Sequence, residues 1–273
     1  FFNKNIISDY DIHKSLIFSK INLNSDIAEH DFQFYQAVDK PLIASISSAN
    51  LSCLFHGGQR EVVENAVIEC IKHNVSIGAH ISFLDKENFG RSKREWDQKS
   101  INSLLQEQMN FLSNVCKTHN EHLTHLKLHG ALSNMASKDT NLAKIIVSFL
   151  KANHPDLIVL APALSELAKV SQEEGLQTAL EVFADRTYED NGMLTPRSIN
   201  GSLITSPIIA VNHVKAMLEK KAIISRTGIK ISTKFDSICV HSDTPNSVKI
   251  CNEICILLNS MSIEQKKLNE FFD

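Results

Sequence analysis

No stretch of this 273-residue chain approaches the roughly 20 consecutive apolar residues that a membrane-spanning helix needs. The longest apolar runs, such as Leu157 to Ala161, are far shorter, and the N-terminus shows no signal-peptide pattern. A surplus of one charge is also missing. Lys and Arg total 28 against 31 Asp and Glu, for a net charge of -3. Neither nucleic acid nor a membrane surface is expected as a partner, since no strong field would attract them. The six cysteines contain no C-x-x-C pair, and a chain of this length needs no disulfide staples. Reduced thiols in a cytoplasmic protein are the expectation. With only nine glycines there is neither a Gly-x-x-x-x-Gly-Lys-Ser/Thr loop nor a Gly-x-Gly-x-x-Gly fingerprint, which excludes the two commonest nucleotide cradles. Repeats and Pro/Ser-rich linkers are absent too, so one domain is expected.

What is present is alternation of short strand-like and longer helical segments. Strands are expected at Leu16–Leu23, Ile43–Leu51, Val75–Ala79, Thr124–Leu128, Leu157–Leu160, Thr178–Phe183 and Ser237–Val240. Amphipathic helices are expected near 60–73, 98–119, 139–153, 163–174, 207–221 and 245–259. This order argues for βα units and a parallel sheet, closed into an α/β, single-domain (β/α)7-type barrel over residues 16–263. A doubly wound open sheet is the competing arrangement. Residues 1–15 and 264–273 are polar and are expected to be a mobile extension and a tail.

Polar residues stand where these strands should be apolar. Asn22, Asn24 and Asp26 alternate onto one face of the first strand, with Glu29 just beyond. Strand end and turn would explain them equally well. The second strand brings Asn50 and Ser52, then His56 before Gly57-Gly58. The third stops at His80, and a lone histidine is most often structural. On the fourth, His125, Lys127 and His129 share a face, an expensive arrangement to bury without partners. Asp185 and Arg186 follow the sixth strand; mutual neutralisation is their bland reading. His241 and Asp243 follow the seventh, where Asp243 has a helix cap as its alternative role. In a barrel the C-terminal strand ends form one rim, so these groups converge there.

The blocks Asn22–Glu29, Ser48–Gly58, Gly78–His80, Phe89–Arg91, Lys127–Asn134, Phe183–Tyr188 and Cys239–Pro245 resemble, in order, the signature blocks of the LamB/YcsF family. The resemblance spans about residues 20 to 259 and implies a barrel related to the glycoside hydrolase/deacetylase superfamily. It further implies 5-oxoprolinase chemistry. In that reaction ATP, with Mg, drives opening of the lactam 5-oxo-L-proline to L-glutamate, together with partner subunits B and C. The chain departs from the family pattern at Ser25 (usually Cys), Ala28 and Leu54 (usually Gly), Gln59 (usually an acid), Ile81–Leu84 (usually Pro-Gly-Tyr-Pro) and Ser133 (usually Tyr).

For such a reaction Lys127 and Arg186 are the candidate cations, Asp26 and Glu29 the candidate bases, and His129 or His241 the proton carriers. Asn24, Asn50, His56, Asp185 and Asp243 are candidate substrate contacts. The superfamily likeness adds a candidate divalent metal on Asp26, His80 and His129. Two alternatives stand beside the lactam reading. One is a metal-dependent hydrolase or deacetylase acting on a carbohydrate amide; the other is a non-catalytic binder.

Overall fold

The computed structural model describes residues 18–272; the expected N-terminal extension, 1–15, lies outside them. Seven parallel strands close on themselves: β1 (Lys20–Ile27), β2 (Ser48–Ser52), β3 (Ser76–Ile81), β4 (His125–Leu128), β5 (Ile158–Pro162), β6 (Thr178–Phe183) and β9 (Ser237–Cys239). β9 pairs with β6 on one side and with β1 on the other, so the barrel has no free edge. Between β6 and β9 lies an antiparallel hairpin, β7 (Ala222–Ile224) and β8 (Lys230–Ser232).

Around the barrel pack α1 (Arg60–Lys72), α2 (Gln98–Thr118), α3 (Gly130–Ala136), α4 (Thr140–Asn153), α5 (Glu166–Glu173), α6 (Pro207–Lys220) and α7 (Ser247–Ser260). Their apolar stripes meet the outward residues of the strands. Leu23, Leu51, Ala79, Leu126, Val159, Val182 and Ile238 are all buried in that single outer core. Local signals set the helix starts: Asp97 forms a capping box with Ser100, Asp139 caps α4, and Ser165 caps α5.

The strand interior follows a different rule. Alternate residues facing into the barrel are polar over β1 to β4. Asn22, Asn24, Asp26, Asn50, His125 and Lys127 bond one another or their neighbours there. Only β5 and β6 contribute an apolar patch, Ile158, Leu160 and Ala179, which packs on Leu268.

The polar interior explains where the expected strand boundaries slip. The first strand is Lys20–Ile27 rather than Leu16–Leu23, because the polar alternation through Asp26 is itself strand. The second begins at Ser48 rather than Ile43, since Lys40–Ile43, with Pro41 in its first turn, ends a helical segment that starts at Phe32. A π-helical stretch in that segment, Tyr35–Asp39, brings the Asp39 carboxylate to the amide of Ala28 at 2.9 Å. Of the tail expected at 264–273, the described residues, 264–272, are packed on the barrel. β10 (Glu264–Gln265) lies parallel to Lys20–Ile21, and a 3-10 turn at Leu268–Phe271 buries Leu268 completely.

Candidate active site

The C-terminal ends of the strands surround a cavity of about 470 Å3. Its floor holds Asp26, Glu29, His80, Lys127, His129 and His241, drawn from the ends of β1, β3, β4 and β9. Convergence follows from the alternation: Asp26, Lys127 and His80 are inward residues of neighbouring strands in register, with Asp26 beside Asn50 and His80 beside Lys127.

Lys127 is the centre of one group. Its Nζ lies 2.9 Å from Asp26 Oδ1, 2.9 Å from Glu181 Oε1 and 3.2 Å from Cys239 Sγ. Burial disfavours the ammonium, but Asp26, Cys239 and Glu181 together more than offset it and hold the lysine well above its usual range. Burial likewise raises Asp26, yet His80 and Lys127 outweigh that and keep the carboxyl well below the ordinary range. Glu181 is left raised, chiefly by burial, and its Oε2 has no partner. Glu181 escaped the sequence reading. An acid in the apolar run Thr178–Phe183 was the available signal, and its inward position follows from alternation once the strand is in place.

A second group gathers around Glu29. His56 Nε2 lies 2.8 Å from Glu29 Oε1, His129 Nδ1 3.1 Å and His80 Nε2 3.5 Å; His80 Nε2 also reaches Asp26 Oδ2 at 3.3 Å. His129 Nε2 meets the carbonyl of Phe89 at 2.9 Å, so that nitrogen carries the proton and donates. His129 Nδ1 faces both His80 Nε2 at 3.0 Å and Glu29 Oε1 at 3.1 Å, so several ligand-type atoms crowd one small space. The cluster thus has the donor set to hold a metal ion. His56 is stacked on His129, with centroids 3.9 Å apart and planes 11° apart. Glu29, His56, His80 and His129 each offer a ligand atom within 4.8 Å of one another and would hold such an ion, with Asp26 beside them. Burial, then His129, pushes His56 down to about 4, so it stays neutral and steadies Glu29.

The third group is a dyad. Asp185, fully buried, accepts from the His241 ring at 2.9 Å, from the His241 amide at 3.0 Å and from Thr244 Oγ1 at 2.6 Å. This leaves His241 Nε2 facing the cavity, 3.9 Å from Asp26 Oδ2. Burial alone would lower His241, but the charge and hydrogen bond of Asp185 prevail and raise it.

The other expected contacts have partners of a different kind. Asn24 and Asn50 are fully buried below the floor, their amides bonded to Glu181 and Asp26. Arg186 does not pair with Asp185; it donates to the carbonyls of Thr195 and Ser202 at 2.7 and 3.3 Å. Asp243 bridges Arg91 at 2.6 Å and Arg197 at 3.8 Å, and α7 is capped instead at Asn246 without any side-chain bond. Two departures from the family pattern have a backbone signature: Ala28 and Leu54, at usual glycine positions, have φ of 63° and 69°.

A closed parallel barrel with acids, imidazoles and a lysine gathered on its C-terminal rim defines the chain as an α/β-barrel with an enzyme-like site. The fold is shared with a peptidoglycan deacetylase, PdaC from Bacillus subtilis, at a TM-score of 0.50 and 10% identity, covering 93% of this chain and 90% of that one. The chain belongs to the LamB/YcsF family, whose model matches residues 21–273. It is 36% identical to the 5-oxoprolinase A subunit of Clostridium beijerinckii over 93% of this chain and 99% of that protein. The same identity holds to the corresponding 5-oxoprolinase chain of Bacillus subtilis over 92% and 98%. The lactam utilization protein of Thermus thermophilus superimposes with a TM-score of 0.83 at 30% identity, covering 90% of this chain and 99% of that one. A hydrolase acting on amide bonds is the class these likenesses support. No helix among the described residues is long and apolar enough to cross a membrane.

Proposed function

We propose that this chain is the A subunit of a cytoplasmic, ATP-dependent 5-oxoprolinase that opens 5-oxo-L-proline to L-glutamate together with partner subunits B and C. The observation that carries this reading is the cavity floor. There an ion-paired Asp26 and Lys127 and an Asp185-oriented His241 face one small space. These are the groups an amide hydrolysis needs, in a chain similar over nearly its whole length to proteins named for lactam chemistry.

A lactam carbonyl resists attack because its nitrogen donates into it, so the oxygen must be polarised and the nitrogen protonated. In the proposed sequence the terminal phosphoryl group of ATP passes to the lactam oxygen and ADP leaves. Water adds to the carbon, the ring C–N bond breaks as the nitrogen takes a proton, and a second water releases inorganic phosphate. Lys127 supplies fixed positive charge beside the oxygen. Asp26, kept ionised, accepts the proton of the attacking water, and His241, held protonated by Asp185, delivers one to nitrogen. A divalent ion on Glu29, His56, His80 and His129 would, when bound, polarise the same oxygen.

The test is glutamate release from 5-oxo-L-proline with ATP and Mg, by the chain alone and with its partner subunits. Turnover only in the complex and only with ATP is expected; no turnover in any combination overturns the reading. The cluster around Glu29 also favours a second reading, a metal-dependent amide hydrolase. That reading predicts turnover without ATP that a chelator abolishes.

A further inference from the structure

The mouth of the cavity carries more positive charge than a small lactam monoanion calls for. Arg91, Lys93, Lys138, Arg186 and Arg197 all line it, with Asp243 as the carboxylate shared between Arg91 and Arg197. Arg186 is only 6% exposed, yet among the described residues no carboxylate lies within salt-bridge distance of it. Its neighbour Asp185 is committed to His241 and Thr244. Burial, followed by repulsion from Arg197, pulls Arg186 down to about 10, and Arg91 adds to that repulsion. A guanidinium removed from water among other guanidiniums is costly unless an anion joins it.

Lys93 and Lys138 also have no carboxylate within 4.0 Å among the described residues. With Arg91 and Asn134 they form the wall between the main cavity and an adjoining one of about 300 Å3, floored by Ala131 and Met135. The acid in that second cavity, Asp139, accepts from the amides of Asn141 and Leu142 at 2.9 and 3.2 Å and so serves α4.

We propose that this basic wall is a polyphosphate site, which receives the phosphate chain of the phosphoryl donor between Arg91, Lys93, Lys138, Arg186 and Arg197. The inference rests on the ATP-dependent reading and deepens it. Five cations around two carboxylates match the roughly three to four negative charges of a triphosphate, whereas the single carboxylate of 5-oxoproline would leave most of them uncompensated. Planar arginines give the site bidentate contacts to phosphate oxygens, and the two lysines add adaptable point charges.

Isothermal titration of the full chain with sodium tripolyphosphate, and separately with 5-oxo-L-proline, tests it. One equivalent of tripolyphosphate should bind, more weakly as salt rises. The double variant Lys93→Gln, Lys138→Gln, altered only at exposed side chains, should weaken that binding at least tenfold and leave 5-oxo-L-proline within twofold. Failure of tripolyphosphate to bind overturns the site. Equal weakening of both ligands overturns it as well, by assigning the wall to the substrate carboxylate. ATP-driven glutamate release at the unaltered rate in the double variant would place the nucleotide on a partner chain, defeating the site and sparing the 5-oxoprolinase reading. Absent glutamate release with tripolyphosphate bound as expected would do the reverse.

Discussion

At the cavity floor Lys127 has carboxylate oxygens of Asp26 and Glu181 at 2.9 Å on either side, whereas at the mouth Arg186 has only backbone carbonyls. Around Lys127 the floor's charges are paired within the chain. They were desolvated on folding and their positions are fixed by bonds to Asn24, Asn50 and Cys239. The mouth is only partly compensated, by Asp243. A group whose geometry must be right at the moment of reaction gains from being finished beforehand. A group that must admit and release an anion gains from remaining unpaired until the anion comes.

Lys127→Met should break that contrast most severely. It strands two buried carboxylates against each other, for a loss on the order of 3–5 kcal/mol in stability by urea unfolding. Glutamate release should fall at least about 10³-fold. Adding Glu181→Gln should recover part of the stability without the activity, and a double variant no more stable than Lys127→Met would contradict the pairing.

Asp185→Asn should come next, lowering turnover about 10²-fold while leaving binding of 5-oxo-L-proline intact. Its signature lies in pH. His241 is raised in the folded chain, so as an acid it is competent at low pH and activity is lost as pH rises through its pKa. Without Asp185 that limb should move to lower pH; an unmoved limb would show that His241 is not the proton donor. The raised His241 gives stability that fades as pH rises through its folded pKa, while the depressed Asp185 loses its share as pH falls through its own, so the pair is strongest between the two.

At the mouth the effects should be smaller and of another kind. Arg197→Gln should raise KM for ATP about tenfold with little change in kcat, and shift unfolding free energy by no more than about 0.5 kcal/mol. A larger stability loss there would mean that the mouth too is internally paired. The smallest effect is a gain: Ala28→Gly, at φ 63°, should stabilise by roughly 1 kcal/mol in thermal unfolding, as only glycine takes that conformation freely.

Much of this was legible in the sequence because inward residues repeat every second position. That periodicity exposed Asn22, Asn24 and Asp26 on one strand and His125, Lys127 and His129 on another. What stayed hidden depended on three-dimensional partners. Glu181 looks like an isolated acid in an apolar run until Lys127 is brought against it. His56 in His-Gly-Gly reads as a turn until Glu29 arrives from another strand. Asp185 and Arg186 are adjacent in sequence and invite pairing, yet one turns to His241 and the other to the loop carbonyls of Thr195 and Ser202. The Phe32–Ile43 segment was obscured because Ile43 and Ile46 read as strand, while Pro41 suits a helix start.

The stitch of β10 beneath β1, with Leu268 set against Ile158, Leu160 and Ala179, also bears on how dry the charged floor stays. These residues stop the end of the barrel opposite the cavity. Leu160, the register partner of Lys127, is among the residues that Leu268 covers, so the plug shields the level on which the charged floor stands. A substitution that loosened Leu268 would wet that level from below and weaken the ion pairs standing on it.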